Sequence, residues 1–284
     1  MGSAVDNGQQ VTKATGLRLF WAILWARAYP RIIGTFREWS WLFFESILPL
    51  LGTSAYVFVY RALKAPPQYT GFAVIGGAMT AFWLNVLWGM AAQLYWDKDA
   101  GNLELYVLSP GSMMAILVGM SVGGLVMSGT RAAVILVVCS LVFGVTYQIG
   151  SLPLLVLAFL LTMLALYGMG MLLASVFLAT GREAWHFINL MQEPVYFASG
   201  MYFPVRDLGY WAATLVSVIP LTLGLDSIRQ LIFGAGPALA FLPVGNELIA
   251  LAALSALFIF GARGALRKME EIGRRDGRLI ERRK

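Results

Sequence analysis

The sequence has one cysteine, one histidine and few charges. Cys139 alone excludes a disulfide within the chain. With His186 the only histidine, a Cys/His metal site lacks ligands, and a histidine-based catalytic dyad has little room. Charged residues are 13% of the 284 residues, against about 25% in a soluble domain. No G-x-x-x-x-G-K-[ST] phosphate loop occurs, nor H-E-x-x-H, nor C-x-x-C. The chain is therefore expected to hold no nucleotide by the usual loop, no metal and no cofactor, and to be no enzyme itself. No signal-peptide pattern follows Met1, because the first apolar stretch comes late and is interrupted by Arg27, Arg31 and Arg37.

What is present is apolar. Hydrophobic residues make up 59% of the chain and mean hydropathy is +0.73. A helix needs roughly 20 apolar residues to cross a bilayer, and helices are the economical way to pair every backbone group in lipid. Six runs read as spans: Trp41–Tyr60, Gly71–Leu94, about Met114–Tyr147, Leu152–Thr180, about Ala184–Phe203 and Ala238–Ala262. The third is longer than a bilayer requires, so it tilts or starts outside the membrane. The fold expected is an all-α polytopic membrane protein with a domain of six transmembrane helices over residues 40–265.

Leu208–Leu225 also carries no charge, yet it is bounded by Arg206, Asp207, Asp226 and Arg229 and contains Pro220. Parity decides against a seventh span. Lys13, Arg18, Arg27, Arg31 and Arg37 make the start of the chain basic. Arg263, Arg267, Lys268, Arg274, Arg275, Arg278, Arg282, Arg283 and Lys284 make its end basic. The positive-inside rule places both in the cytoplasm, with Lys98 and Arg182 in loops on the same side. Six spans satisfy this; seven would split the termini. Residues 207–233 then form a pair of short helices that dip into the outer leaflet without crossing. The net charge of +6 suits a membrane surface and topology, with no case for nucleic acid.

Residues 1–39 read as a cytoplasmic arm and interfacial helix. Trp21, Trp25 and Trp39 alternate with arginines, a mixture that favours the headgroup zone. The helical wheel is imperfect, because Phe20 and Leu24 fall near the face of Arg27 and Arg31, and Pro30 should bend the helix. Residues 266–284 read as a basic cytoplasmic tail. Gly168, Gly170, Gly123 and Gly124 are suited to close helix packing.

Charges inside spans stand out, since one at mid-membrane costs at least ~2.5 kcal/mol. Arg131 has Glu45 and Glu193 as possible partners. Glu193, between Gln192 and Pro194, reads equally as a pathway residue and as a group paired with a neighbouring helix.

The charged loop from Asp97 to Ser112 holds the most informative stretch, Leu103-Glu104-Leu105-Tyr106-Val107-Leu108-Ser109-Pro110. A helical turn here puts Leu103, Tyr106 and Val107 at i, i+3 and i+4, one apolar face. Glu104 lies off that face. Gly101 permits the bend that leads in, and Ser109-Pro110 stops the helix.

Three motifs then carry a resemblance. Trp96–Glu104 with Leu108-Ser109-Pro110 resembles the loop after the second span of ABC type-2 exporter permeases, with Asn102 where that loop usually has Thr. Ser199-Gly200-Met201-Tyr202-Phe203-Pro204 resembles the turn that ends the family's fifth span. Ile219-Pro220-Leu221-Thr222 followed by Asp226-Ser227-Ile228-Arg229 is similar to a third family motif, with Ile219 in place of a common Asn. The matches run from about residue 40 to 265 in the expected order.

The resemblance implies a permease subunit of an inner (plasma) membrane exporter of drugs, lipids or glycans. It implies as partners a cytoplasmic ABC ATPase, which binds ATP and Mg, a second permease, identical or paralogous, and membrane lipid. It makes the 101–108 segment a coupling helix seated on the ATPase through Gly101, Leu103, Glu104, Tyr106 and Val107. Glu193, Arg131, Tyr202, Phe203, Pro204 and Pro220 become candidates for the substrate path or its outer gate. The residues leave other classes open: a self-sufficient secondary transporter or channel, a membrane-embedded lipid-modifying enzyme, or a scaffold. The first would normally show internal repeats, which are not evident, and the second convergent polar residues, which are scarce.

Overall fold

Every regular element among the described residues is helical. The computed structural model describes residues 16–109, 111–180, 184–234 and 239–276. Lys13, Pro110, Arg182 and the tail from Arg278 onward lie outside the described residues, as do the side chains of Trp39, Glu104 and Val107. The order is α1 (Leu17–Arg37), α2 (Trp39–Ala62), α3 (Pro67–Leu84), a π-helical segment (Asn85–Ala91), α4 (Ala92–Asp99), α5 (Asn102–Leu108), α6 (Met113–Phe143) and α7 (Leu152–Thr180). Then come α8 (Ala184–Ala198), a 3-10 turn (Val205–Leu208), α9 (Tyr210–Val216), α10 (Pro220–Phe233) and α11 (Val244–Asp276).

Five of these are long and apolar enough to cross a membrane: α2, the continuous α3–π–α4 rod, α6, α7 and α11. The protein is an all-α, multi-span membrane protein. Of the six expected spans, α8 is the short one. Its 15 residues reach about 22 Å at 1.5 Å per residue, and the rest of the expected span, residues 199–204, is a turn. The third span runs 31 residues, about 46 Å, well beyond a ~30 Å hydrocarbon core. The last helix continues past Ala262 to Asp276, so much of the expected tail is helical.

The α3–π–α4 rod is the centre of the bundle. Its apolar window is 89% buried, against 17% for α2, because α2, α6, α7 and α10 all pack on it. Small residues allow the closest approaches. Gly119 and Gly123 let α1 lie directly on α6, where added side chains would meet the Leu24 carbonyl and Arg31. Gly170 similarly admits Val86 and Met90, and Gly168 faces Phe258 and Ile259. Gly119-Met120-Ser121-Val122-Gly123 also matches G-x-S-x-G by letter. It sits inside a continuous helix, with Ser121 bonded to the Leu117 carbonyl at 2.9 Å, so it is no strand-to-helix nucleophile turn.

One end of the bundle, the terminal end, gathers α1, α5 and the last turns of α11. The other, the hairpin end, gathers the α6–α7 connection and α9–α10. There α9 and α10 are bent by 114° at the break before Pro220, which is compatible with a pair that dips and returns. α10 is the inner arm, buried from Pro220 to Arg229, while Tyr210, Trp211 and Leu215 of α9 are exposed. Backbone bonds from Gln148 and Gly150 to the carbonyls of Ile232 and Leu231 fasten the end of α10.

Candidate coupling site

The loop motif becomes a helix because Gly101 turns the chain into it. Its φ of +84° is left-handed and suits glycine. The expected stop is also present: Ser109 is extended, as a residue before proline should be. Between them α5 lies against the bundle. Leu103 is 1% exposed and belongs to the core, and Tyr106 packs beside it.

This corrects the expected orientation. The spacing predicts that Leu103 and Tyr106 offer an apolar face to another protein, but both side chains turn into this chain's own helix bundle. The periodicity was right, and the burying surface belongs to this chain. Among the described α5 side chains, Asn102 and Leu105 point outward, Leu105 being 66% exposed.

Asp97, in the last turn of α4 and 5% exposed, joins three helices. Arg27 of α1 donates to its Oδ2 at 2.7 Å. The Tyr106 hydroxyl of α5 donates to the same oxygen at 3.0 Å. Gln93 donates to Oδ1 at 3.1 Å. The Arg27 guanidinium also lies 5.5 Å from the Tyr106 ring centre, within cation–π range. Burial pushes the Tyr106 phenol up to about 12, against the pull of Arg27, so it remains a donor at neutral pH.

Arg31, one turn further along α1, reaches the π-helical segment. It donates to the Gly89 carbonyl at 2.5 Å and the Met120 carbonyl at 3.2 Å. A π-turn disturbs the normal carbonyl pairing of a helix, and this arginine fills the gap. Burial, and then the Arg27 charge, lower its pKa. Asn85, at the start of the segment, is buried and accepts from the Tyr167 hydroxyl at 3.3 Å.

Arg27 and Arg31 therefore face protein, where the sequence suggested the headgroup zone, while Arg18 and Arg37 at the two ends of α1 are exposed. The outer face of α1 is mostly apolar: Leu17, Trp21, Trp25, Tyr29, Ile33 and Phe36 are all exposed, with Arg18 exposed among them at its start. The imperfect wheel is thus two good faces, one greasy and one carrying arginines with partners of their own.

The other expected residues fall in three places. Arg131 pairs with Glu45 of α2, beside a cavity of about 180 Å³ that Arg31 and Glu38 also line. Glu193 is on an exposed face of α8, touched by the Gln192 amide at 3.2 Å. Tyr202, Phe203 and Pro204 share one turn at the hairpin end. Tyr202 stacks on Tyr56 with centroids 3.9 Å apart, and its carbonyl accepts from Tyr60 at 2.7 Å. Pro220 is buried at the first turn of α10.

Arg229 holds that turn. Its Nη1 donates to the Gly200 and Phe203 carbonyls at 2.7 and 3.1 Å. Its Nη2 donates to the Phe72 and Met201 carbonyls at 2.9 and 2.5 Å. Gly76 leaves room for the Met201 carbonyl. Asp226 and Arg229 stand at i, i+3 on α10, a spacing that permits an ion pair, but the arginine's donors go to backbone and Asp226 turns toward α11.

Residues 19–233 match the ABC-2 type transporter family, from α1 to the end of α10. The chain belongs to the ABC-2 type transporter family. Over 135 residues it is 24% identical to the "Probable multidrug ABC transporter permease YbhR" of Escherichia coli K12, and equally to the protein of that name in strain O157:H7. That stretch is 48% of this chain and 36% of the relative, so the match spans about a third of the relatives' length. As an ABC-2 protein with five long apolar helices, the chain is a transmembrane subunit of an ABC transporter.

Asp97, Arg27, Arg31, Asn85 and Arg229 are the working contacts that the sequence did not single out as such. Only the i, i+4 spacing of Arg27 and Arg31 on a helix with an otherwise apolar stripe hinted at two of them.

Proposed function

We propose that this ABC-2 permease carries a drug-, lipid- or glycan-like substrate outward across the plasma membrane, driven by ATP hydrolysed on a partner ABC ATPase. The terminal end faces the cytoplasm and the hairpin end faces outward. This assignment rests on the basic residues at both chain ends. The coupling helix is α5, seated on the ATPase through its outward side, with Glu104 a charged contact.

The observation that carries the reading is Asp97. One carboxylate bonded to α1 and α5 from its place in α4 makes the three helices move as one piece. Force on α5 then reaches the central rod through α4, and the membrane surface through the apolar stripe of α1. Leu103 and Tyr106 transmit this force from inside, while Gly101 sets the angle of α5.

A second permease, identical or paralogous, completes the path. An exposed carboxylate on an apolar helix is costly against lipid, so the α8 face bearing Glu193 is best covered by a second copy around a polar route. Arg131, paired with Glu45, steadies the cytoplasmic side of that route, and the Tyr202–Phe203–Pro204 turn with Pro220 closes it outside. Membrane lipid surrounds the rest.

The test is ATPase and transport activity of the chain co-expressed with neighbouring gene products and reconstituted in lipid. Glu104→Lys should leave ATP hydrolysis in place and abolish its link to transport. Failure of any ATPase subunit to co-purify with folded protein would sink the reading.

A further inference from the structure

At the hairpin end two carboxyl groups meet, and among the described residues neither forms an ion pair. Asp226 of α10 and Glu247 in the first turn of α11 are 4% and 0% exposed. One nitrogen bridges them: Gln230 Nε2 is 3.0 Å from Asp226 Oδ2 and 3.2 Å from Glu247 Oε2, and also reaches the Leu242 carbonyl at 2.9 Å. Asp226 Oδ2 accepts a second bond, from the Phe241 backbone N–H at 2.8 Å. Glu247 Oε1 is buried and has no partner.

The surroundings offer little to neutralise two charges. Arg229, one turn along α10, interacts electrostatically with Asp226 while its hydrogen bonds go to four backbone carbonyls, so one negative charge of the pair has a cation nearby and a second would have none. α7 and α3, which also pack on α10, bring only Tyr167 and Tyr69 as titratable groups. Arg206 and Tyr210 line the adjoining cavity of about 820 Å³, as do Gln230, Phe241 and Leu242. Among the described residues no Lys, Arg or His forms an ion pair with either acid.

Two carboxylates within hydrogen-bond reach of one nitrogen suppress each other's ionisation, and a buried carboxylate without a cation takes up a proton in preference to staying charged. We propose that Asp226 and Glu247 form a proton-binding site that holds one proton between them and fastens α10 to α11. Asp226, with two donors, carries the charge. Glu247, with an orphaned oxygen, carries the proton. Gln230 lines the cavity, so the site exchanges with solution through that opening. The same bonds hold Phe241 and Leu242, the approach to α11. Loss of the proton sets two like charges against each other across this joint and loosens it. The inference does not depend on the transport reading.

Infrared spectroscopy of the full chain in lipid tests this directly. Wild type at neutral pH should show a protonated-carboxyl stretch that shifts in deuterated water, disappears on strong alkalinisation and is lost in Glu247→Gln. In Asp226→Asn, where the like charge is gone, the band should persist and disappear at a lower pH than in wild type. The wild-type unfolding midpoint should fall as the solution is made alkaline, and Glu247→Gln should remove that fall. A wild-type minus Glu247→Gln spectrum without the band overturns the site, as does a disappearance pH that Asp226→Asn leaves unmoved. A midpoint raised by sodium or calcium ions in wild type alone, with no carboxyl band, would mean that a cation occupies the pair, and would equally overturn it.

Discussion

Half-buried Arg27 at the terminal end of the bundle and fully buried Arg229 at the hairpin end are anchored in different ways. At the terminal end, Arg27 meets a carboxylate on another helix, and that carboxylate also takes the Tyr106 hydroxyl. At the hairpin end, Arg229 meets only backbone carbonyls, four of them. Side-chain pairs have rotamers on both sides and can part and re-form. Backbone carbonyls are fixed by the helices and turns that carry them. The first end is held by contacts that can rearrange, and the second by contacts that keep one shape around the Tyr202–Pro204 turn.

The comparison breaks most severely at Arg229. Arg229→Ala strands buried carbonyls, each costing about 1–3 kcal/mol when unsatisfied. It should lower the thermal midpoint sharply or abolish folded yield. Arg229→Lys should rescue little, because an ammonium lacks the planar fork. A near-normal melting curve for Arg229→Ala would remove the idea of a rigid outer turn.

Next comes the hub. Asp97→Asn weakens a charge-assisted bond worth about 1.5–3 kcal/mol and should leave folding intact. Reconstituted transport should fall at least ~10-fold while basal ATP hydrolysis persists, the pattern of a transmission defect. Equal loss of both activities would mean that Asp97 only supports the fold. Arg27→Ala should be non-additive with Asp97→Asn, and strict additivity would separate the two residues.

A smaller effect is expected at Tyr106. Tyr106→Phe keeps the ring on Arg27 and deletes one hydrogen bond, about 1 kcal/mol. The phenol's pKa is raised to about 12 in the fold, against about 10 when free. The folded state therefore holds the proton longer than the unfolded one, and this contribution is lost as pH rises from about 10 to about 12. Ultraviolet titration should show one late-ionising tyrosine fewer in the variant. The mildest change is Glu193→Gln, which should leave stability and ATP hydrolysis as they are and alter the preference between cationic and neutral cargo. An unaltered cargo spectrum would leave Glu193 without a part in selection.

Length and hydropathy were enough to read the long spans, because a run of apolar residues has one use in a chain this greasy. The α9–α10 pair was legible from Pro220 and the charges that flank it. Orientation was not. Leu103, Tyr106 and Val107 share a face, yet nothing local says whether that face meets a partner or this chain's own core. Arg27 and Arg31 read as surface charges because their acceptors, Asp97 and the Gly89 carbonyl, lie 70 and 58 residues away. Asp226 and Arg229 are well spaced for an ion pair, yet the arginine's donors go to four carbonyls that the turn after α8 and α3 bring around it. Buried polar contacts are settled by tertiary neighbours, which spacing within one helix does not encode.

The π-helical turn at Asn85–Ala91 has a consequence for any reader of this span. An added residue in one turn rotates everything after it by about 100°. The same helix therefore shows one angular frame from Pro67 to Leu84 and another from Ala92 to Asp99. Residues assigned to a lining by counting in steps of 3.6 through the whole rod would be placed on the wrong side below the turn. Asp97 faces α1 because of that offset, and straightening the turn by deleting a single residue would swing the carboxylate away from Arg27 without touching either side chain.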